Sequence, residues 1–561
     1  MSRAKLRVGL LVDGPQVPAW AHHLIGQIEQ SDYAKITLVV TDAGATAPPA
    51  PLPYPSWQKP VQQLADKLAT HLYEKLVTYD NRKMDAFKMM PFSDVLSDAP
   101  TIAVNTIKTA YKDAVGDDDI TTIKSHELDV LIRVGFRILT GDILSCAKHG
   151  VWSILTSDNR ALRGAAPCFY ETLETHHHIG CGLQILTEEL DAGKVLYNSF
   201  SETDAFSIGN NRRTLFWKSQ AFFTRMLHRL HSEGDAIYDN LRLSKAYDAK
   251  DPLAPIRKTP PPTTHLMLVV KKAFAKFNWV MHNRTKLRQW NLMYRHGDDP
   301  FVDPSEYTLI PTPKDRLWAD PFVIARDNKH YVFIEEMEYE QYRGRISVFE
   351  IEADGSYTVP RPVIKEDFHL SYPFLIEHDG ELWMIPESNT NRTLRLYRCT
   401  GFPDQWEWVM NLMEGKKYVD ATLHFQDDLW WLFVNSGAHQ TLSKRDEVNL
   451  FYASDFRTTQ WTPHPHNPIV SDVYRARPAG NLIKHNHRLL RPSQNNSRYY
   501  GYAYNLNEVH TLTTTDYKET VVKEILPTWD KRIIGTHTHS SAPGLSIIDV
   551  LMVRPRKTRF K

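Results

Sequence analysis

Short apolar runs at residues 6–12 and 36–41 are separated by a stretch with helical periodicity from Trp20 to Gln30, the alternation of a βαβ unit. A further apolar run, Leu128–Val134, follows the acidic turn at residues 117–119, and helical periodicity returns over Asn211–His231. The strand-like runs are continuously apolar, as expected of strands covered on both faces. The pattern predicts a doubly wound, Rossmann-type α/β domain with a parallel sheet, closing near residue 245. A proline-rich loop interrupts it at residues 45–60.

Residues 246–300 read as a Pro-rich and basic helical linker. Pro252, Pro255, Pro260, Pro261 and Pro262 lead into a segment from Leu266 to Arg295 that holds Lys271, Lys272, Lys276, Arg284, Lys286, Arg288 and Arg295 and no acidic residue. Phe274, Phe277, Trp279, Val280 and Trp290 are interleaved with these charges. Two roles fit such a helix: packing its aromatics between domains, or resting at an anionic membrane interface.

From residue 301 to 561 helical periodicity gives way to short strands rich in Trp and Tyr. One unit recurs, an apolar strand, a turn, and a strand ending in an acid or amide. It begins at Trp318-Ala-Asp-Pro-Phe, Ser371-Tyr-Pro-Phe, Val419-Asp-Ala-Thr and Arg477-Pro-Ala-Gly, with a degenerate copy from Gly535-Thr-His-Thr-His539. A period of about 50–60 residues is that of a four-stranded propeller blade, so five copies predict a five-bladed β-propeller. The fold class is therefore multidomain, an α/β domain followed by an all-β propeller. Trp318, Trp383, Trp430 and Trp431 are expected to fill the cores of its blades.

Composition narrows the functional classes. A net charge of +1 gives no global attraction to nucleic acid, and no nucleic-acid partner is expected. Cys146, Cys168, Cys181 and Cys399 are too few and too scattered for a disulfide framework or a zinc site, so no metal is expected and a reducing compartment fits. The run Val8–Val12 is too short for the core of a signal peptide and leads into Asp13-Gly14 without a small-residue cleavage site. The expectation is a cytoplasmic protein, with residues 266–295 and the basic tail from Arg554 offering contact to the inner face of a membrane.

The stretch Arg163-Gly-Ala-Ala-Pro167, with Gly180-Cys-Gly-Leu-Gln and Leu190-Asp-Ala-Gly193, resembles the folate-dependent formyltransferases over roughly residues 85–230. The resemblance implies a catalytic His and Asn preceding the Arg-Gly motif and an Asp after it. Counting back from Arg163, the His position falls on Leu155 and the Asn position on Ser153, while the Asp falls on Asp191. Leucine carries no proton, and Thr156, Ser157, Asp158 and His176–His178 are out of place. The site is expected to be vestigial at Ser153, Leu155 and Asp191.

The C-terminal half carries Trp318-Ala-Asp-Pro-Phe, Pro386-Glu-Ser, Val419-Asp-Ala-Thr, Ala476-Arg-Pro-Ala-Gly480 and Arg491-Pro-Ser-Gln494. These resemble the N-terminal domain of the glucosamine inositolphosphorylceramide transferases and, more distantly, five-bladed furanosidases such as arabinanases and levansucrases. The resemblance implies acids aimed into a central funnel that holds a sugar. Chemistry at an anomeric carbon needs one carboxylate as base or nucleophile and one acid to protonate the leaving oxygen. Asp320 is expected as the base or nucleophile, Glu387 as the acid and Asp420 as an orienting carboxylate. Arg477, Arg491, Gln494, His537 and His539 are expected to contact substrate.

These readings converge on a carbohydrate-active, glycosyltransferase-like enzyme of surface-glycan biosynthesis, using an activated sugar donor and a glycan or lipid-linked sugar acceptor. Two alternatives stay open: a sugar N-formyltransferase fed by formyl-tetrahydrofolate, and a non-catalytic glycan-binding scaffold.

Overall fold

The computed structural model describes residues 3–44, 85–96, 98–108, 112–158, 160–164, 167–189, 192–243, 262–436 and 443–556. Two compact units are present: residues 3–199 and 203–276 belong to the first, residues 200–202, 277–436 and 443–556 to the second.

The first unit is built on a seven-stranded sheet. Its strands lie in the order Lys194–Glu202, His178–Ile185, Val151–Leu155, Val130–Arg133, Leu6–Val12, Ala34–Asp42, Thr101–Val104. The five from Val151–Leu155 to Thr101–Val104 are parallel, as the continuous apolar runs require: Val8, Leu10, Leu11 and Val12 are wholly buried. The expected all-parallel sheet is corrected at one edge, where His178–Ile185 runs antiparallel to Val151–Leu155. The helices Ala19–Glu29 and Ile208–Glu233 pack together against the sheet, joining Trp20, Leu24, Phe222, Phe223 and Met226 into one core. Strand order reverses between Leu6–Val12 and Val130–Arg133, the kind of position where α/β sheets open a ligand crevice.

The second unit contains five successive antiparallel sheets. Four are consecutive meanders opening with Arg316–Arg326, Ser371–His378, Val419–Gln426 and Ile483–His485. The fifth is assembled from both ends of the unit: Lys286–His296 pairs antiparallel with Leu545–Pro555 along its whole length, from Lys286 opposite Pro555 to His296 opposite Leu545. Residues 286–296 are therefore a strand, and the expectation of a helical linker reaching residue 300 is corrected. The helix of this region ends at Thr285. Gln289, Asn291 and Leu292 are buried in the new strand, and a two-sided ladder partner outweighs the helical preference of an isolated basic segment.

Local sequence explains the hairpins. The opening hairpins turn at Asp327-Asn328, Asp379-Gly380, Asp427-Asp428 and Asn486-His487, and all eight residues have positive φ. Two successive left-handed residues make the tight turn that matches strand twist, and Asn, Asp and Gly tolerate it best. Seven residues before the first three turns stand Asp320, Tyr372 and Asp420, each with φ between 44° and 49°, and the ladder register breaks at each. The same bulge thus recurs in three sheets.

The strand Arg316–Arg326 lies beside Ser371–His378, which lies beside Val419–Gln426, and on its other flank it meets His539–Ala542 and Leu545–Pro555. The bulged residues consequently face one another. Trp318, Trp383, Trp430 and Trp431 are buried in the apolar layers between and within sheets, as expected.

The helix Pro262–Thr285 exposes Val270, Phe274, Phe277 and Met281 along one stripe at helical spacing, with Phe274 65% and Phe277 61% exposed, and exposes Trp279 on the opposite face. Among the described residues no helix is long and apolar enough to cross a membrane.

Candidate active site

The bulges bring charged side chains of the second unit into one buried cluster. Asp420 is 1% exposed, Asp320 4% and Glu387 5%. A left-handed residue at a strand bulge turns its side chain and amide away from the ladder, and such strained positions mark functional sites.

Asp420 is held from two sides. The Arg477 guanidinium donates from Nε to Oδ2 at 2.5 Å and from its terminal nitrogen to Oδ1 at 3.0 Å, and Gln494 Nε2 donates to Oδ2 at 2.7 Å. Arg477 also reaches Glu387 Oε2 at 3.4 Å, and the Asp420 amide donates to the same oxygen at 3.3 Å. Asn389 donates to the other oxygen of Glu387. Burial and the charge of Asp420 push the Glu387 carboxyl up to about 8, against the pull of Arg477, so Glu387 carries its proton at neutral pH.

Asp320 sits in a separate set of contacts. Thr538 Oγ1 donates to its Oδ1 at 2.8 Å and the Tyr372 amide to its Oδ2 at 3.2 Å. His537 Nε2 lies 3.6 Å from Asp320 Oδ1, and its Nδ1 lies 2.6 Å from Asp549 Oδ2. Burial disfavours charge on this ring, but Asp549 and Asp320 prevail and push it up to about 9. Trp290 stacks flat on the ring at 4.1 Å and Tyr500 OH lies 3.1 Å from Nε2. Burial, with the neighbouring acids opposing His537, pushes Asp320 up to about 7. Two carboxylates in different environments, one protonated and one poised near neutrality, are the requirement for acid and base to act together.

Asp320, His537 and Asp549 also offer oxygen and nitrogen atoms that all lie within 4.8 Å of one another, a grouping with metal-ligand chemistry. The ring nitrogen facing Asp549 is engaged with it at hydrogen-bond distance.

Of the residues expected from sequence, Asp320, Glu387, Asp420, Arg477, Gln494 and His537 come together. Arg491 does not. Its nitrogens are committed to Glu519, at 2.7 and 2.8 Å, and to the carbonyls of Arg475 and Ala476, a buried ion pair that ties strands of the fourth sheet. Nor does His539: its ring is buried against Tyr504, has no hydrogen-bond partner among the described residues, and burial holds it neutral by lowering its pKa to about 4. The expectation that these two contact substrate is corrected on that ground. Gly480 explains the tight passage here, because a Cβ at its φ of 126° would meet the His539 carbonyl oxygen at 1.8 Å.

Tyr372, Asn389, Tyr500, Thr538 and Asp549 belong to the cluster and were not assigned roles from sequence. Tyr372 OH accepts from the Gly480 amide at 2.7 Å and lies 2.8 Å from Thr422 Oγ1. Its seven-residue offset from the turn matches those of Asp320 and Asp420 and was a legible signal. Asp549 has none, since it reaches His537 only through the ladder that brings His539 opposite Ile548.

In the first unit Ser153 and Leu155 lie on the buried strand Val151–Leu155. Ser153 Oγ accepts from Arg133 Nε at 3.0 Å, and Leu155 contributes only apolar surface. Asp191 lies outside the described residues. A groove lined by Glu127–Asp129 and Leu144–Lys148 opens at the amino ends of the strands, opposite the crevice end.

Residues 304–536 match the family described as glucosamine inositolphosphorylceramide transferase 1, N-terminal. The glucosamine inositolphosphorylceramide transferase 1 of Oryza sativa subsp. japonica is 33% identical over 207 residues, which are 36% of this chain and 28% of that protein. The chain thus spans less than a third of the curated relative's length. A methionyl-tRNA formyltransferase of Prochlorococcus marinus is 37% identical over 75 residues, 13% of this chain and 22% of that one. Among solved structures, Zg3597, a family 117 glycoside hydrolase of Zobellia galactanivorans, aligns over 47% of this chain and 90% of its own with a TM-score of 0.32 and 10% identity. The C-terminal half of this chain is accordingly similar to the N-terminal region of the plant transferases, and a short part of the chain is similar to a formyltransferase.

Proposed function

We propose that the five sheets of the second unit are the blades of one propeller, and that its central carboxylate cluster acts at the anomeric carbon of a sugar. Glu387 donates a proton to the leaving oxygen, Asp320 acts as base or nucleophile, and Asp420, clamped by Arg477, holds Glu387 in its protonated state. The observation carrying this reading is the pair of environments: a protonated Glu387 and a near-neutral Asp320, supplied by different sheets at one buried centre. The plant relatives are named glucosamine inositolphosphorylceramide transferase 1, and we take transfer of a sugar from an activated donor to a glycan or lipid-linked acceptor as the reaction class. The first unit keeps an α/β scaffold in which Leu155 offers no proton acceptor, so the chemistry is assigned to the second.

The test is a mass-spectrometric screen of nucleotide-activated sugars against lipid-linked and soluble glycan acceptors. A glycosylated product is expected. Formylated amino-sugar from formyl-tetrahydrofolate, with no glycosyl product, would overturn the assignment.

The stripe Val270, Phe274, Phe277 and Met281, flanked by the exposed Lys271, Lys276 and Arg284, supports peripheral contact with an anionic membrane surface. The chain should sediment with phosphatidylcholine vesicles containing anionic lipid and be released by salt. Phe274→Ser with Phe277→Ser should weaken this about tenfold or more, given the apolar area two phenylalanines bury. Equal sedimentation of the variant would exclude this helix as the contact.

A further inference from the structure

Tyr500 stands among the carboxylates with its hydroxyl half used. Its oxygen lies 3.1 Å from His537 Nε2, and among the described residues that hydroxyl makes no other hydrogen bond. The groups already assigned to the reaction surround it: the charges of Arg477, Asp320, Asp420 and Glu387 all act on the phenol. Those three acids and His537 are almost fully buried, whereas Tyr500 keeps part of its surface accessible. An incoming molecule can therefore touch it. The guanidinium carbons of Arg445 and Arg477 each lie 5.1 Å from the centre of its ring, and His537 meets it edge-on at 5.3 Å. Gly501 follows at φ 73°, and a Cβ there would meet the Trp290 indole at 2.6 Å. That close approach lets Trp290 lie flat on His537 at 4.1 Å and hold the imidazole plane.

His537 is oriented from its other nitrogen. Asp549 Oδ2 lies 2.6 Å from Nδ1, and the same carboxylate accepts the amides of Asp320, His537 and Thr538 at 3.1, 2.9 and 3.0 Å. An ionised carboxyl offers the ring only acceptor sites, so Nδ1 carries a hydrogen and Nε2 is the end turned to Tyr500. Asp549 at one nitrogen and Asp320, 3.6 Å from the other, favour the imidazolium, whose Nε2 hydrogen goes to the nearer acceptor, the phenol oxygen. An oxygen that accepts there keeps its own proton for another acceptor. Burial, opposed by Arg477, raises the phenol pKa well above its ordinary value, so the group is a donor and not a phenolate nucleophile.

We propose that Tyr500 is a further catalytic residue of the cluster, its hydroxyl donating to an oxygen of the bound sugar, and that Asp549 is a positioning residue that acts on it through His537. This rests on the reading of the cluster as a sugar site. A carboxylate, an imidazole and a hydroxyl in sequence are the arrangement that aims a hydroxyl at a reacting centre, and here the imidazole gives a hydrogen bond instead of taking a proton.

Two measurements test this. The first needs no substrate: nitrogen NMR of the full chain carrying isotope-labelled histidine, with the His537 signal identified by its loss in His537→Gln. Near neutral pH the wild-type ring should be protonated at both nitrogens. Tyr500→Phe should move the Nε2 signal and leave Nδ1 in place, and Asp549→Asn should turn the ring neutral. An Nε2 signal unchanged in Tyr500→Phe overturns the contact, and a ring still charged in Asp549→Asn overturns the positioning role. The second is turnover with the nucleotide-activated sugars and acceptors of the screen above. Tyr500→Phe should lower kcat about 10²-fold, as loss of one donor to a reacting centre does, with a melting temperature close to that of the wild type. Asp549→Asn should lower kcat by as much, and the double variant should fall little further, because the residues act as a unit. If Asp549→Asn does not fold, Tyr500→Phe decides alone. Tyr500→Phe turning over like the wild type, while Asp320→Asn does not, overturns this role and leaves the reading of the cluster intact. A wild type that forms no glycosyl product overturns both.

Discussion

Replacing Arg477 by methionine should destabilise the second unit by about 3–5 kcal/mol, the cost of removing one partner from a buried ion pair. Among the described donors to its carboxylate Asp420 would keep only Gln494, for a side chain in a residue that is 1% exposed. Glu387 loses less, because its carboxyl is protonated near neutrality. Chemical denaturation of the wild type, Arg477→Met, Asp420→Asn and the double variant provides the measurement. The double variant should be markedly more stable than the sum of the single losses predicts, because with Asp420 neutral no uncompensated charge remains. A loss below about 1 kcal/mol for Arg477→Met would mean that water reaches the cluster freely, since exposed pairs contribute no more than that.

Asp320→Asn and Glu387→Gln should each lower turnover by about 10²–10⁴-fold while leaving the melting temperature close to that of the wild type, the range for loss of a general acid or base. The pH profile distinguishes their roles. Asp320 must be ionised to act, and its raised pKa delays that until about pH 7. Glu387 must be protonated, and its raised pKa preserves the proton up to about pH 8. Wild-type activity should therefore peak in a narrow window near these values and fall on both sides, with apparent pKa values belonging to the coupled cluster. Stability follows the same signs. Asp320, Glu387 and His537 all bind protons more tightly when folded, so their contribution is greatest at acid pH and declines as pH rises towards about 9. A broad, flat activity profile from pH 5 to 10 would contradict both assignments.

How much of this was legible beforehand differs by level. The strand at Leu6–Val12, the helix near Ala19–Glu29 and the buried tryptophans follow from periodicity, because each is decided by a local choice between faces. The turn pairs Asp327-Asn328 and Asp379-Gly380 are likewise local, since left-handed backbone favours few residue types. Asp320 and Asp420 are legible as candidates because the repeat places both seven residues before a turn, and Glu387 and Arg477 because each lies at the end or start of a repeated strand. Arg491 and His539 misled for the same reason: repeat position identifies a strand end but not the direction of its side chain. Arg491 turned towards Glu519, twenty-eight residues away, whose carboxylate no short-range pattern connects to it. Residues 286–295 misled in another way, since a basic aromatic stretch satisfies helical periodicity until a partner strand from residues 545–555 becomes available.

By itself, the sequence determined the two-part architecture, the strand-rich repeat of the C-terminal half, and which acids recur at equivalent positions, because these depend on contacts within one repeat or one hairpin. Tertiary structure alone decided the pairing of Lys286–His296 with Leu545–Pro555, the approach of Asp549 to His537, and the burial of Glu387 beside an Asp420 clamped by Arg477. The reason is electrostatic as much as geometric: a carboxyl's proton affinity is set by burial and by charges brought in from distant parts of the chain, and neither is written in its neighbours along the sequence.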